Sequence, residues 1–160
     1  MSLELLTITG YKDSGFRTLI GGTPYQFMIN PESLHWNRML NAPVAPVSLV
    51  DMNFDVIIDC TGIVDSSRIN LLEEIHNLEQ QLYSDVGGTY HPNYIKITWG
   101  DHLSFFTKVK SCDISYTLFN SAGTPIRAKV SLSFGKDIPE PKPVSITPKK
   151  KGLLDFLTGR

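Results

Sequence analysis

Ser111-Cys112-Asp113-Ile114-Ser115-Tyr116-Thr117-Leu118-Phe119-Asn120-Ser121-Ala122-Gly123-Thr124-Pro125-Ile126-Arg127-Ala128-Lys129-Val130-Ser131-Leu132-Ser133-Phe134 reads as two alternating runs around a turn. Asn120 to Thr124 supplies the small polar residues and glycine that a turn needs. The pattern predicts a β-hairpin with Leu118 opposite Ile126. Tyr116 then faces Ala128, Ile114 faces Val130 and Cys112 faces Leu132 on one side. On the other side Thr117 meets Arg127, Ser115 meets Lys129, Asp113 meets Ser131 and Ser111 meets Ser133. A slip of one residue would mix the two faces, so the alternation itself favours this register. One face is apolar; the other is small, polar and mildly charged.

Outward from the hairpin, the chain stays strand-like. Tyr94 to Trp99 and Ser104 to Val109 read as strands, and Met52 to Asp59 alternates, with Met52, Phe54, Val56 and Ile58 on one face. Leu3 to Ile8 reads as a first strand and Tyr25 to Ile29 as a short apolar run that stops at Asn30-Pro31. Residues 41–48 hold Pro43 and Pro46 among small residues and suit an exposed arm. One segment is helical. Asp65-Ser66-Ser67 offers N-caps, and Leu71, Ile75, Leu78 and Leu82 recur at helical spacing. Glu73, Glu74, Glu79, Gln80 and Gln81 fill the opposite side of a helix expected over 66–83. The pattern predicts a mainly β (α+β) fold, one β domain with a single amphipathic helix and an extended C-terminal tail.

The 160 residues suit one core-bearing domain, and the ten prolines and twelve glycines favour many turns over long helices. A formal charge of −1 gives no overall bias toward nucleic acid or anionic membrane. No stretch approaches the roughly 20 apolar residues of a membrane span, and the first residues carry no basic signal-peptide region. The expectation is a chain that is cytoplasmic at synthesis and does not insert directly into a membrane. From Gly135 onward Pro139, Pro141, Pro143 and Pro148 make an extended linker. Lys149, Lys150 and Lys151 follow, then the apolar cluster Leu153, Leu154, Phe156 and Leu157. We therefore expect a β domain over 1–137 and a Pro-rich linker with a docking tail over 138–160.

Motifs for catalysis are missing. Asp55 and Asp59 share a strand face, but four residues of strand separate them by about 13 Å, beyond the roughly 5 to 9.5 Å that paired-carboxylate hydrolysis uses; both read as solvated positions on that face. The histidines His35, His76, His91 and His102 show no HxH or HExxH spacing, so no metal or other cofactor is called for. Cys60 reads as a small core residue, and Cys60 and Cys112 form no CxxC pair. Lys96, Lys108, Lys110, Arg127 and Lys129 lie near aromatic residues, but Asp101 and Asp113 dilute the charge, which argues against nucleic acid.

Four blocks in order carry a resemblance: Phe27-Met28-Ile29-Asn30-Pro31-Glu32-Ser33; Asp59-Cys60-Thr61-Gly62; His91-Pro92-Asn93-Tyr94-Ile95-Lys96-Ile97-Thr98-Trp99-Gly100; and Asp113 to Phe119 continued by Gly123 to Val130. Over about residues 3–137 the chain resembles the N-terminal domain of the tube-type protein of phage-tail-like contractile injection systems. That protein sits where the inner tube meets the spike hub and often carries a LysM module. The resemblance implies a tube-type β fold, a β-barrel or sandwich with one flanking helix, subunits that close into a hexameric ring, and contacts with inner tube subunits and a spike or hub protein. It implies a structural role, not an enzymatic one: a tube initiator that templates tube growth within an injection particle. The hairpin's polar face (Ser111, Asp113, Ser115, Thr117, Arg127, Lys129, Ser131, Ser133) would then suit a hydrated lumen. The arm at 34–50 and the polar side of the helix are the expected subunit contacts. The sequence departs from the family in place of the LysM module, where the tail with Lys149 to Lys151 and Leu153 to Leu157 is expected to dock on a baseplate protein. A second reading also stands: a standalone β-barrel that binds an oligosaccharide or nucleotide through Trp99, Tyr94 and His91.

Overall fold

The computed structural model describes residues 3–40, 47–135 and 138, without the side chains of 38–40 and 47–50. The elements in chain order are β1 (Thr7–Tyr11), β2 (Tyr25–Gln26), β3 (His35–Leu40), β4 (Val47–Asp59), α1 (Leu71–Leu82), β5 (Tyr83–Val86), β6 (Thr89–Pro92), β7 (Tyr94–Trp99), β8 (Leu103–Phe119) and β9 (Pro125–Phe134). Seven strands join in the order β2-β1-β7-β8-β9-β4-β3, while β5 and β6 form a separate hairpin. The fold is mainly β, as the alternation predicts. Of the two expected forms it is the sandwich: β2 and β3 lie at opposite ends of the strand order and the barrel is not closed.

β8 is what folds the sheet over. The sequence suggests two strands on either side of Lys110, but the chain runs through as one strand of 17 residues. Its first part, Leu103–Lys108, pairs with β7, and its second part pairs with β9, with a register shift between Val109 and Ser111. A bulge of this kind bends a strand and increases its twist. One strand thereby belongs to both layers.

The inward side chains of the two layers form the core. Phe54, Val56 and Ile58 of β4 alternate inward opposite Leu132, Val130 and Ala128 of β9, all buried. Tyr25, Phe27, Phe54 and Phe134 make a chain of ring contacts with centroids 5.0 to 6.1 Å apart, and Trp36 meets Phe105 edge-on at 4.5 Å. The helix packs Leu71, Ile75, Leu78 and Leu82 into this core. Burial of each such side chain contributes about 1.5 to 3 kcal/mol. Gly10 of β1 lies against the end of the helix, where a Cβ would meet the Gln81 carbonyl oxygen at 2.4 Å. Glycine is required by that approach.

Several sequence expectations shift. The helix begins at Leu71, not at 66, because Asn70 is its cap and its side chain accepts from the Glu73 amide. Asp65 instead closes a local turn with Ser67. Glu74 and Gln81, expected on the wet side, are buried. Glu74 receives Tyr25 Oη at 2.9 Å and pairs with Arg68; Gln81 accepts from the Gly10 amide at 2.8 Å and donates to the Gly21 carbonyl. The first strand starts at Thr7 rather than Leu3, the second is cut to two residues, and β4 begins five residues early. Strand β3 and the β5–β6 hairpin are further elements. The hairpin turns on Gly87 and Gly88, both at positive φ. Among the described residues, no helix is long and apolar enough to cross a membrane.

Candidate assembly surface

The outer face of the β8–β9–β4 layer is built in cross-strand rungs. Ser111, Ser133 and Asn53 form one; Asp113, Ser131 and Asp55 the next; then Ser115, Lys129 and Ile57. The expected hairpin register therefore holds from Ser111 to Tyr116 opposite Ser133 to Ala128. It fails nearer the turn. A shift between Tyr116 and Leu118 sets Leu118 opposite Arg127, so Leu118 does not meet Ile126 and Thr117 is the extra residue of a bulge. Tyr116, expected inside, is 43% exposed. The turn itself is held by Asn120, whose side-chain oxygen accepts from the amides of Ala122 and Thr124.

β4 adds carboxylates to this face that the hairpin alone does not reveal. Lys129 Nζ lies 3.4 Å from Asp55 Oδ2, and Arg127 Nη2 lies 3.0 Å from Asp59 Oδ2. Asp59 is a correction to the sequence reading of a solvated acid, since it is only 7% exposed. It also accepts from the Thr61 amide at 2.9 Å and the Thr61 hydroxyl at 2.5 Å. Those Thr61 bonds, with the Arg127 guanidinium, hold its carboxyl below the usual carboxylate range against the opposing effect of burial. A hydrogen bond involving Ser131, then one with Lys129 and its charge, lower the Asp55 carboxyl likewise. Asp55, Asp59 and Asp113 against Arg127 and Lys129 leave this face at a formal −1. It is hydrophilic and almost charge-balanced. Ile57, at 45% exposed, and Leu118, opposite Arg127, are apolar residues on it. The signal for the ion pairs lay in the alternation of 52–59; what was missing was that β4, distant in sequence, adjoins β9.

This layer has two unlike edges. On one side stands β3; on the other, the C-terminal part of β8, which among the described residues pairs with β9 alone. β9 meets β4 only from Met52 onward, while β3 pairs with β4 back to Val47. Residues 37–40 and 47–51 thus form a two-stranded ribbon running past the end of β9, overlapping the expected arm at 34–50. The helix exposes Glu73, His76, Asn77 and Gln80.

The residues proposed for ligand binding do not converge. Tyr94 and Trp99 sit at opposite ends of β7, about 16 Å of strand apart, and the Trp99 indole donates to the Glu4 carbonyl at 3.2 Å. His91 and Tyr94 line a shallow depression with Lys108, whose ammonium lies 4.2 Å from the Tyr94 ring centre. Among the described residues, no three His, Cys, Asp or Glu side chains gather as metal ligands. Cys60 is buried, and burial first, then the Glu74 carboxylate, pushes its thiol up to about 11. A thiol so raised is a poor nucleophile. Lys149, Lys150, Lys151, Leu153, Leu154, Phe156 and Leu157 lie outside the described residues.

No curated protein matches the chain. A family model does: residues 47–144, from the start of β4 through the hairpin and beyond, match the contractile injection system tube protein. That span holds α1, the bent strand β8 and all three strands of the polar face. With more than half of its length matched, this chain belongs to the contractile injection system tube protein family.

Proposed function

We propose that the chain is a ring-forming structural subunit at the junction of inner tube and spike hub, which templates tube growth and acts by assembling, not by catalysis. The observation that carries this reading is the β8–β9–β4–β3 layer: a polar, almost charge-balanced face flanked by two unlike strand edges. Unlike edges suit heterologous, head-to-tail contacts, which close into a ring when the rotation allows. A hexamer is the expected closure. Its lumen is lined by Ser111, Asp113, Ser115, Thr117, Arg127, Lys129, Ser131 and Ser133, because a channel that passes cargo does best without apolar patches. The β3–β4 ribbon and the wet side of α1 supply further contacts between subunits and with inner tube subunits and the spike or hub protein. The chain divides into the β domain of 1–137 and the tail of 138–160. That tail, through Lys149 to Lys151 and Leu153 to Leu157, docks on a baseplate protein, and the subunit resides within the assembled injection particle.

Mass photometry of the purified protein, alone and with the cognate spike protein, tests the reading. A ring, or a ring triggered by the spike, is expected; a monomer under both conditions overturns it. Deleting residues 139–160 should weaken baseplate recruitment while the β domain still folds. Undiminished recruitment would remove the docking role from the tail.

A further inference from the structure

β4 is covered unevenly along its outer edge. β3 ends its pairing at His35 opposite Asn53, and from there to Asp59 no strand among the described residues lies on that side of β4. The direction of the main chain is fixed by two bonds. The Cys60 amide donates toward β9, to the Ile126 carbonyl at 2.8 Å, whereas the Asp59 amide points the other way, to the Met28 sulfur at 3.3 Å. Main-chain groups alternate sides along a strand, so those of Asp55 and Ile57 face away from β9. Among the described residues no backbone group pairs with them there. What lies beside them is a groove of about 440 Å³, walled by Ile29, Glu32, Ser33, His35 and Ile57. An open edge beside a groove of mixed lining, with Ile29 and Ile57 for apolar side chains and Glu32 and Ser33 for polar ones, is the geometry into which an extended peptide adds as a strand.

We infer that residues 144–147 of this same chain, Val144-Ser145-Ile146-Thr147, add to β4 at Asp55 and Ile57 in the unassembled subunit. The segment alternates apolar and polar, is rich in β-branched residues, and is bounded by Pro143 and Pro148, which limit it to the length of the gap. Lys142 and Lys149 flank it, and Glu32 on the groove wall has no ion-pair partner among the described residues. Reach is short. The Ile138 amide donates to the Phe106 carbonyl at 2.6 Å, and the neighbouring Phe105 ring touches Trp36, next to His35 at the mouth of the groove. The six residues from 138 to 144 span up to about 20 Å. The tail thereby masks a strand edge that would otherwise invite unplanned pairing.

Residue-resolved amide exchange by NMR tests this, using the full chain at two concentrations, a chain ending at residue 138, and the full-length double variant Ser145→Pro with Ile146→Pro. Adjacent amides point to opposite sides, so one of the two prolines removes a bond to β4 whichever way the segment lies. In the full chain the Asp55 and Ile57 amides should exchange at least about tenfold slower than in either altered chain, at a rate independent of concentration. Equal rates in all three chains overturn the inference. Protection that rises with concentration and survives the prolines assigns the edge to a second copy and overturns it as well. The double variant keeps the test intact if the shortened chain does not fold. Ring formation is read separately by mass photometry, so the two proposals fail independently.

Discussion

Arg127 on β9 and Asp59 on β4 meet at 3.0 Å and form the better buried of the two ion pairs on the outer face. Asp59's side chain is 10% exposed, whereas Asp55 and Lys129, 3.4 Å apart on the same face, are 56% and 53% exposed. The difference in burial governs how much each pair contributes.

Removing a cation beside a buried carboxylate leaves that carboxylate without its partner, so Arg127→Ala should destabilise the domain by about 1 to 3 kcal/mol. Lys129→Ala should cost no more than about 0 to 1 kcal/mol, because solvent already screens the exposed pair. Urea unfolding midpoints measure both. Equal losses would mean that Asp59 is as wet as Asp55.

The folded-state pKa of Asp59 lies below its unfolded value, through the Thr61 hydrogen bonds and then Arg127. In acid the unfolded chain therefore takes up its proton first. The stability it contributes is complete above the unfolded carboxyl value near pH 4, and disappears as pH falls through the lower folded value. Asp59→Asn should flatten the decline in urea midpoint between about pH 5 and 3. An unchanged slope would exclude Asp59 as a source of it.

Both thiols should resist reagents in the native state. Burial, followed by Glu74 for Cys60 and Glu79 for Cys112, raises each to about 11. An aromatic disulfide reagent at pH 8 should label them slowly in the folded protein and rapidly in urea. Two fast thiols under native conditions would contradict the packing of both strands.

The lumen assignment predicts position-specific damage. Ser115→Leu should leave the monomer's unfolding free energy within about 0.5 kcal/mol, because Ser115 is exposed on the outer face. Yet it should impair ring assembly or cargo loading in reconstituted particles. If assembly and loading proceed unaltered, this face is not the channel wall.

Local chemistry was largely legible in the sequence. The alternation in 111–116 and 128–133 marked the paired positions of the hairpin, and the spacing of Leu71, Ile75, Leu78 and Leu82 found the buried side of the helix. What the sequence concealed depends on long-range adjacency. Glu74 reads as a wet residue until Tyr25 and Arg68 are seen to converge on it, and Asp59 reads the same way until β4 is placed beside β9. The bulge at Thr117 was hidden for another reason: two residues opposing one leaves almost no mark on a period-two pattern. The polar wall was visible as a hairpin, its ion pairs were not.

The continuity of β8 through both layers has a mechanical consequence. Hydrogen bonds in an antiparallel ladder lie across the strands. A pull along the second part of β8 therefore strains its rungs to β9 in shear, all together, rather than unzipping them one after another. The first part of the strand is anchored to β7 in the same manner. A push received on one layer of the sandwich is passed to the other through covalent backbone.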